Sequence, residues 1–299
     1  MPLNKQIIII GGGPGGLSAA IQLYRSGFEP LIFESRQLGG LLVNAWRVEN
    51  YPGFPKGLSG VELVRLFREQ LNFYKPEIVY DQVLSIEKQQ NNYLLKTEKV
   101  LSYKCQYLII ATGTIPRQYP YLKLNENEPL SKRVHYEVDT IRHLKGKDIS
   151  IIGGSDAAFD YAMTMSQDNQ VKVFMRGSQT KAIKALRDVV QINRQIKVYP
   201  RTEIENFRIK DDRISLNFKK DASTHNHLTD YLLFAIGRGP ITPAMINKLE
   251  IEKEKDETLF FVGDVKNERF RQCSFAVADG MKAAMSIEHM IRRDNHENR

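Results

Sequence analysis

Cysteine is nearly absent: two in 299 residues, Cys105 and Cys273, far apart and in no C-x-x-C pair. A redox dithiol built from neighbouring cysteines is thereby excluded, and no His/Cys cluster has metal-ligand spacing, so no metal is expected. Each cysteine reads first as a small buried apolar residue. Long apolar runs are also missing. None approaches the roughly 20 residues that cross a bilayer, and the N-terminus carries no signal-peptide pattern, so a cytoplasmic protein without a membrane partner is expected. No nucleic-acid motif accompanies the basic residues, which argues against a DNA or RNA partner.

What is present is ordinary in amount: 42% hydrophobic and 26% charged residues, enough chain for about two domains with their own cores. The net charge of +8 is uneven, since residues 166–220 hold 13 Lys+Arg against 6 Asp+Glu. Such a region suits a nucleotide phosphate or an acidic protein partner, or is a solvated cationic face.

The most informative stretch is KQIIIIGGGPGG, residues 5–16. Residues 7–10 form an apolar β-branched run that reads as a strand buried on both faces, and Gly11, Gly13 and Gly16 follow in G-x-G-x-x-G spacing, with Pro14 among them. Residues 17–24 read as a helix. In this pattern the first glycine makes the strand-to-helix turn, the second lets a pyrophosphate approach the backbone, and the third lets helix and strand pack closely. A second strand at 30–34 ends on Glu34, where the fingerprint places a carboxylate for ribose hydroxyls.

Further along, residues 37–42 form a glycine-bearing loop with Gly40 and Leu41, and Ser59 is placed to cap an amphipathic helix at 61–74. Short alternating strands at 79–80, 83–86, 93–96 and 104–107 suggest an antiparallel insertion before a buried strand at 107–110. That strand closes on Ala111, Thr112 and Gly113, small residues suited to a nearby ligand. Pro116 and Pro120 mark a boundary.

A second βαβ unit begins at 148–152, with Gly153, Ser155 and Ala158 in the fingerprint positions, Asp156 and Ala157 beside them, and a helix to about Ser166. Serine replaces the middle glycine, which weakens this second dinucleotide site. Its next strand, 171–176, ends without an acid; Arg176, with Lys181 and Arg187 after it, could face a 2′-phosphate and favour NADP over NAD, or be surface cations. Strands at 196–199, 204–210, 213–219 and 231–236 follow. The chain returns through an apolar strand at 259–262 that closes on Gly263 and Asp264, and a final helix spans about 274–291. The expected architecture is α/β with two Rossmann-like dinucleotide-binding domains, the second (116–240) inserted into the first (1–115 and 241–299).

Two dinucleotide folds with Ala111-Thr112-Gly113 before the second and Gly263-Asp264 after it resemble the two-dinucleotide-binding-domain flavoproteins, and within them the low-molecular-weight thioredoxin reductases. The stretches Gly39-Gly40-Leu41, Glu49-Asn50-Tyr51-Pro52-Gly53-Phe54, Gly237-Arg238 and Arg271-Gln272 carry the likeness over nearly the full length. The resemblance implies FAD in the first domain with Asn50, Asp264 and Gln272 along the flavin, NADP (or NAD) in the second, and a homodimer. Thioredoxin reductases carry a Cys-x-x-Cys just before the second βαβ unit; here the segment reads VHYEVD, 134–139. That stretch resembles instead the thioredoxin-reductase-type ferredoxin (flavodoxin)–NADP reductases, which lack a redox disulfide. An FAD oxidoreductase passing electrons between NAD(P)H and an acidic carrier such as ferredoxin or flavodoxin is the expectation. Its alternatives are a disulfide or small-molecule reductase of the thioredoxin reductase family, or a flavin-binding electron relay that no longer uses pyridine nucleotide. His135 is a candidate proton donor, or a loop histidine.

Overall fold

Four isoleucines in succession cannot all face one side of a strand, so a strand made of them must be covered on both faces. In the computed structural model this is what β1 (Leu3–Ile10) does: Ile8 and Ile10 enter one core with Phe33 and Tyr103, while Ile7 and Ile9 enter another with Leu17, Leu23 and Ile287. The structure describes residues 2–99, 101–120, 129–221, 223–240, 256–267 and 270–297, with backbone alone for 295–297. Residues 241–255, expected to begin the return to the first domain, lie outside the described residues.

The chain divides into two compact units, one formed by Met1–Val43, Glu49–Ile115 and Pro240–Arg299, the other by Asn44–Val48 and Pro116–Gly239. Against the boundaries expected from sequence, five residues early in the chain change sides. The reason is local hydrogen bonding. Asn44 Nδ2 donates to Glu137 Oε2 (2.8 Å), Asp139 N donates to Asn44 Oδ1 (3.0 Å), and Trp46 N donates to Asp160 Oδ2 (2.8 Å).

In the first unit β1 lies between two parallel neighbours, β2 (Leu31–Glu34) and β6 (Ser102–Ile110), and β3 (Glu77–Tyr80) continues the sheet beyond β2 in parallel. Residues 79–80 therefore belong to the parallel sheet rather than to an antiparallel insertion. The insertion is β4 (Val83–Gln89) and β5 (Asn92–Thr97). The segments read as separate strands at 104–107 and 107–110 are one nine-residue strand, β6. Its first half pairs antiparallel with β5, and its last three residues pair parallel with β17 (Leu259–Phe261) on the same edge. Two neighbours sharing one edge give β6 two different residue patterns, which is why it reads as two.

Helix α1 (Pro14–Arg25) follows β1, and α2 (Gly60–Asn72) starts at the expected cap, with Ser59 and Glu62 forming a reciprocal capping box. The last helix, here α5 (Cys273–Glu297), packs on α1 through small residues. A Cβ on Gly280 would stand 2.1 Å from the Gly15 carbonyl oxygen, and Ser18 Oγ donates to the Val277 carbonyl at 2.8 Å.

The second unit has a parallel sheet in the order β11-β10-β9-β15-β8, made of β8 (Val134–His135), β9 (Asp148–Ile152), β10 (Gln170–Phe174), β11 (Ile196–Tyr199) and β15 (Tyr231–Phe234). Helices α3 (Asp156–Met165) and α4 (Lys184–Ile192) belong to it. Beside them is a three-stranded antiparallel sheet of β12 (Thr202–Lys210), β13 (Arg213–Lys220) and β14 (Ser223–Thr229). Strand β14 has no counterpart among the strands expected from sequence because STHNHLT holds a single apolar residue, Leu228, and shows no apolar alternation. Two short strands, β7 (Thr114–Pro116) and β16 (Arg238–Pro240), pair with each other.

Two stability predictions follow from this packing. Gly280→Val forces a side chain onto backbone that cannot retreat, and urea melts should show a loss of about 1–3 kcal/mol. Asp256 gives the second. Burial pushes its carboxyl up, but hydrogen bonds from Lys88, Tyr93 and Thr258 outweigh that and hold it down at about 2. A depressed carboxylate stabilises the fold above its unfolded pKa and loses that contribution as pH falls through the folded one. Asp256→Asn should therefore melt below the wild type at pH 7, and the gap should narrow between pH 4 and 2.

Candidate functional site

The first strand-to-helix turn is built as its three glycines require. Gly11 has φ +105°, and a Cβ there would lie 2.3 Å from the Ala111 carbonyl oxygen at the end of β6. A Cβ on Gly16 would lie 1.9 Å from the Gly11 carbonyl oxygen, so α1 sits as close to β1 as two backbones allow. At Gly13 the opposite holds: nothing stands within 4 Å of where its Cβ would be. Gly13 is the N-cap of α1 with no side-chain cap, and Pro14 is at the helix start. The turn thus offers a tight reversal, an open face and a helix N-terminus in the arrangement a dinucleotide pyrophosphate needs.

Glu34, buried at the end of β2, joins this turn: its Oε2 accepts from Gly12 N and its Oε1 from Arg36 N, each at 2.8 Å. An ionised carboxylate has about four acceptor positions, which leaves capacity for ribose hydroxyls. The 37–42 loop comes to the same place, with Gly39 N donating to the Gly12 carbonyl (2.7 Å) and a Cβ on Gly40 lying 3.1 Å from Gly13 Cα. Gly40 and Leu41 open the 3-10 turn Gly40–Asn44. Thr112 and Gly113 follow the end of β6, and no described residue stands within 4 Å of a Cβ on Gly113 (φ +69°).

Two more candidates meet directly, since Asn50 Nδ2 donates to Gln272 Oε1 at 2.8 Å. Gly263 and Asp264 lie in a 3-10 turn after β17, held by a residue that sequence spacing did not single out, Asp279 on α5. Asp279 accepts from Gly263 N, Lys266 Nζ and Asn267 Nδ2. Arg271 Nε donates to the Asn267 carbonyl, so Arg271 is tied to the same turn. The first unit's residues fit FAD: open space where the ligand must come, close packing where it must not.

The second turn repeats the first in most respects. Gly153 N donates to Phe174 O (2.9 Å) as Gly11 N does to Phe33 O (2.8 Å), and a Cβ on Gly153 would lie 2.4 Å from the Ala235 carbonyl oxygen. The match of Phe174 to Phe33 puts Met175 where Glu34 stands, an apolar residue in place of the acid. Arg176 lies two residues beyond β10, which ends at Phe174 rather than at 176. Lys181 N and Thr180 Oγ1 both donate to the Gly154 carbonyl (2.8 and 2.9 Å), which brings the Lys181 backbone onto the turn. Asp156 opens α3 and accepts from Ile183 N, Ala157 follows it, and Ser155 is the N-cap.

Residues 134–139 hold a polar cluster that no motif announced. Glu137, buried, accepts from Asn44 Nδ2, from Tyr161 Oη (3.3 Å) and from Arg238 (2.7 Å). Nearby, burial pushes the Asp160 carboxyl up to about 6, against the lowering influence of Trp46 N and Arg142. His135, in β8, has both ring nitrogens engaged, with Thr140 Oγ1 at 3.1 Å and the Lys132 carbonyl at 3.2 Å; burial lowers its pKa. Both cysteines are free thiols. Burial pushes Cys105 up, and pushes Cys273 to about 12 with Asp264 adding to it.

Residues 5–280 match the family described as pyridine nucleotide-disulphide oxidoreductase, and the chain belongs to it. The thioredoxin reductase of Borreliella burgdorferi is 29% identical over 303 residues, spanning 96% of this chain and 92% of its own. The 34.2 kDa protein in the rubredoxin operon of Clostridium pasteurianum is 30% identical over 312 residues, 97% and 99% of the two chains. Among solved structures, Lactococcus lactis thioredoxin reductase in its FR conformation is similar with TM-score 0.84 at 26% identity over 96% and 99% of the chains. That of T. acidophilum gives 0.82 at 26% over 96% and 98%. The fold is α/β with Rossmann-like parallel sheets, and the chain is an FAD-dependent pyridine nucleotide oxidoreductase of a family whose cofactors are FAD and NADPH.

The open space at Gly13 gives a test that separates binding from folding. The Cβ of Gly13→Ala meets no described residue within 4 Å, so beyond a small loss from the changed helix cap it should melt like the wild type stripped of flavin, yet purify with less FAD, read as flavin absorbance per chain.

Proposed function

We propose that this chain takes electrons from NADPH onto FAD and delivers them to an external disulfide or small-molecule acceptor that comes to the flavin, with no thiol pair of its own in between. The observation that carries this is the state of its two cysteines: both free, both with thiols raised by burial, and neither in the segment 134–139 where thioredoxin reductases hold their pair. A dithiol relay needs a thiolate to attack the next disulfide, and these thiols are poor sources of one. Family membership and relatives named thioredoxin reductase favour a disulfide as acceptor over the ferredoxin or flavodoxin expected from sequence.

Bound FAD supplies the chemistry of hydride acceptance from NADPH and onward release of electrons. The chain's own residues position it. Gly11, Gly13, Gly16 and Pro14 would shape the pyrophosphate site with Gly40 and Leu41 against the same turn, Glu34 would hold the ribose, and Asn50, Asp264 and Gln272 would lie along the flavin, with Thr112, Gly113, Gly263 and Arg271 completing the site. In the second unit the backbone of Gly153, Ser155, Asp156 and Ala157 would take the NADPH pyrophosphate, and Arg176 with Lys181 the 2′-phosphate. Met175 supports NADPH over NADH, because no carboxylate is there to bind a free ribose 2′-hydroxyl or repel a phosphate. His135 is structural in this reading, since both its nitrogens are committed to its own loop.

A second reading keeps a one-electron carrier as acceptor. It is favoured by the VHYEVD stretch and by the excess of cations over residues 166–220, which would steer an acidic partner.

Stopped-flow mixing with NADPH followed by an acceptor panel decides between them. NADPH should bleach the flavin, and turnover should appear with low-molecular-weight disulfides or thioredoxin. Turnover confined to ferredoxin or flavodoxin, falling as salt rises, would replace the first reading by the second; no bleaching would remove both. Cys273→Ser should leave turnover unchanged. Arg176→Ala loses a charge-assisted contact to phosphate, and KM for NADPH should rise about tenfold with KM for NADH unmoved.

A further inference from the structure

We propose that Ser155 is an affinity-setting residue: its side chain holds the pyridine nucleotide pyrophosphate off the second turn, so that the site binds more weakly than its backbone permits. The inference rests on the reading that the second unit takes NADPH, and goes beyond it by naming what limits the binding.

The two turns of this chain make the comparison internal. Their first positions agree, since Gly11 and Gly153 both have positive φ (+105° and +153°) and both press against a carbonyl at the end of a neighbouring strand. Their third positions differ by one carbon: a Cβ on Gly16 would lie 1.9 Å from the Gly11 carbonyl oxygen, whereas Ala158, buried, carries a Cβ that lies 3.2 Å from one placed on Gly153. That position serves helix–strand packing; the middle position is the one the pyrophosphate approaches, and there the two turns differ as well. Gly13 and Ser155 are both N-caps in extended backbone, with φ −73° and ψ −177° for the first and φ −108° and ψ −178° for the second. The space beyond Gly13 is empty for 4 Å; at the equivalent place in the second turn stand the Cβ and hydroxyl of a serine.

Among the described residues nothing explains that serine. An N-cap serine ordinarily accepts a hydrogen bond from the second or third N–H of its helix, yet Ser155 makes no such bond with α3. The backbone at −108° suits any residue, so glycine would relieve no strain there. Its carbonyl, not its hydroxyl, serves the helix, accepting from Ala158 N at 3.1 Å and Phe159 N at 3.3 Å. The side chain therefore occupies the ligand's approach without helping the helix it caps. A phosphate that must clear a Cβ cannot reach the backbone N–H groups as closely as it reaches those behind Gly13.

Calorimetric titration of NADP⁺ onto the flavin-loaded protein, with wild type, Ser155→Gly and Ser155→Ala compared, tests this. Ser155→Gly should bind about three- to tenfold more tightly, the worth of one hydrogen bond regained. Ser155→Ala keeps the Cβ and should match the wild type. In turnover the glycine variant should lower KM for NADPH and leave kcat alone, as expected when ground state and transition state gain equally. Equal or weaker binding by the glycine variant would overturn the inference while leaving the proposed function standing. Weaker binding by the alanine variant would overturn it too, by making the hydroxyl a ligand. If none of the three binds NADP⁺, the nucleotide reading fails and takes this inference with it.

Discussion

The first unit depends on one close approach of backbone to backbone. Where β1 ends, the chain reverses at Gly11 against the carbonyl of Ala111 while α1 returns with Gly16 over the Gly11 carbonyl. No side chain fits at either contact. Helix, strand and the neighbouring strand end are thereby brought within van der Waals distance, and the residues that follow β6 are fixed relative to the start of α1. Glu34 and the 37–42 loop then close on the same turn through Gly12, one by its carboxylate and the other by the Gly39 peptide. The openness at Gly13 and Gly113 is the complement of this crowding: tight contacts hold the rim so that space survives in the middle.

Much of this was legible in the residues themselves. Four β-branched apolar residues, glycines at fixed offsets and a terminal acid report local geometry, and local geometry is what sequence spacing encodes. Ser59 with Glu62 was readable for the same reason, because a capping box is complete within four residues. What escaped depends on partners far along the chain. Strand β6 changes neighbours halfway, β14 pairs with β13 through its backbone and through polar contacts such as Asn226 Nδ2 to Ser215 Oγ rather than through an apolar face, and Asn44–Val48 belongs with Glu137 and Asp160 more than ninety residues later. Asp279, which braces the turn holding Gly263 and Asp264, sits on a helix among ordinary-looking residues, and no spacing rule ties it to that turn.

The polar cluster around Glu137 shows what the segment 134–139 does in the fold. A buried carboxylate is tolerable only when charge and hydrogen bonds meet it, and here Arg238, Asn44 and Tyr161 do so. The segment has become an anchor for chain arriving from elsewhere. An anchor made of one carboxylate and three donors fixes Asn44, Tyr161 and Arg238 about a single point.

Trp46 is the sole indole in the chain, and its peptide N–H rests on the carboxyl of Asp160, which burial pushes up to about 6. Ultraviolet emission excited at the red edge of protein absorption therefore comes from a single, known address, with no label to attach and no second fluorophore of that kind to subtract. That natural lamp stands on the very five residues whose allegiance differs from that of their flanks.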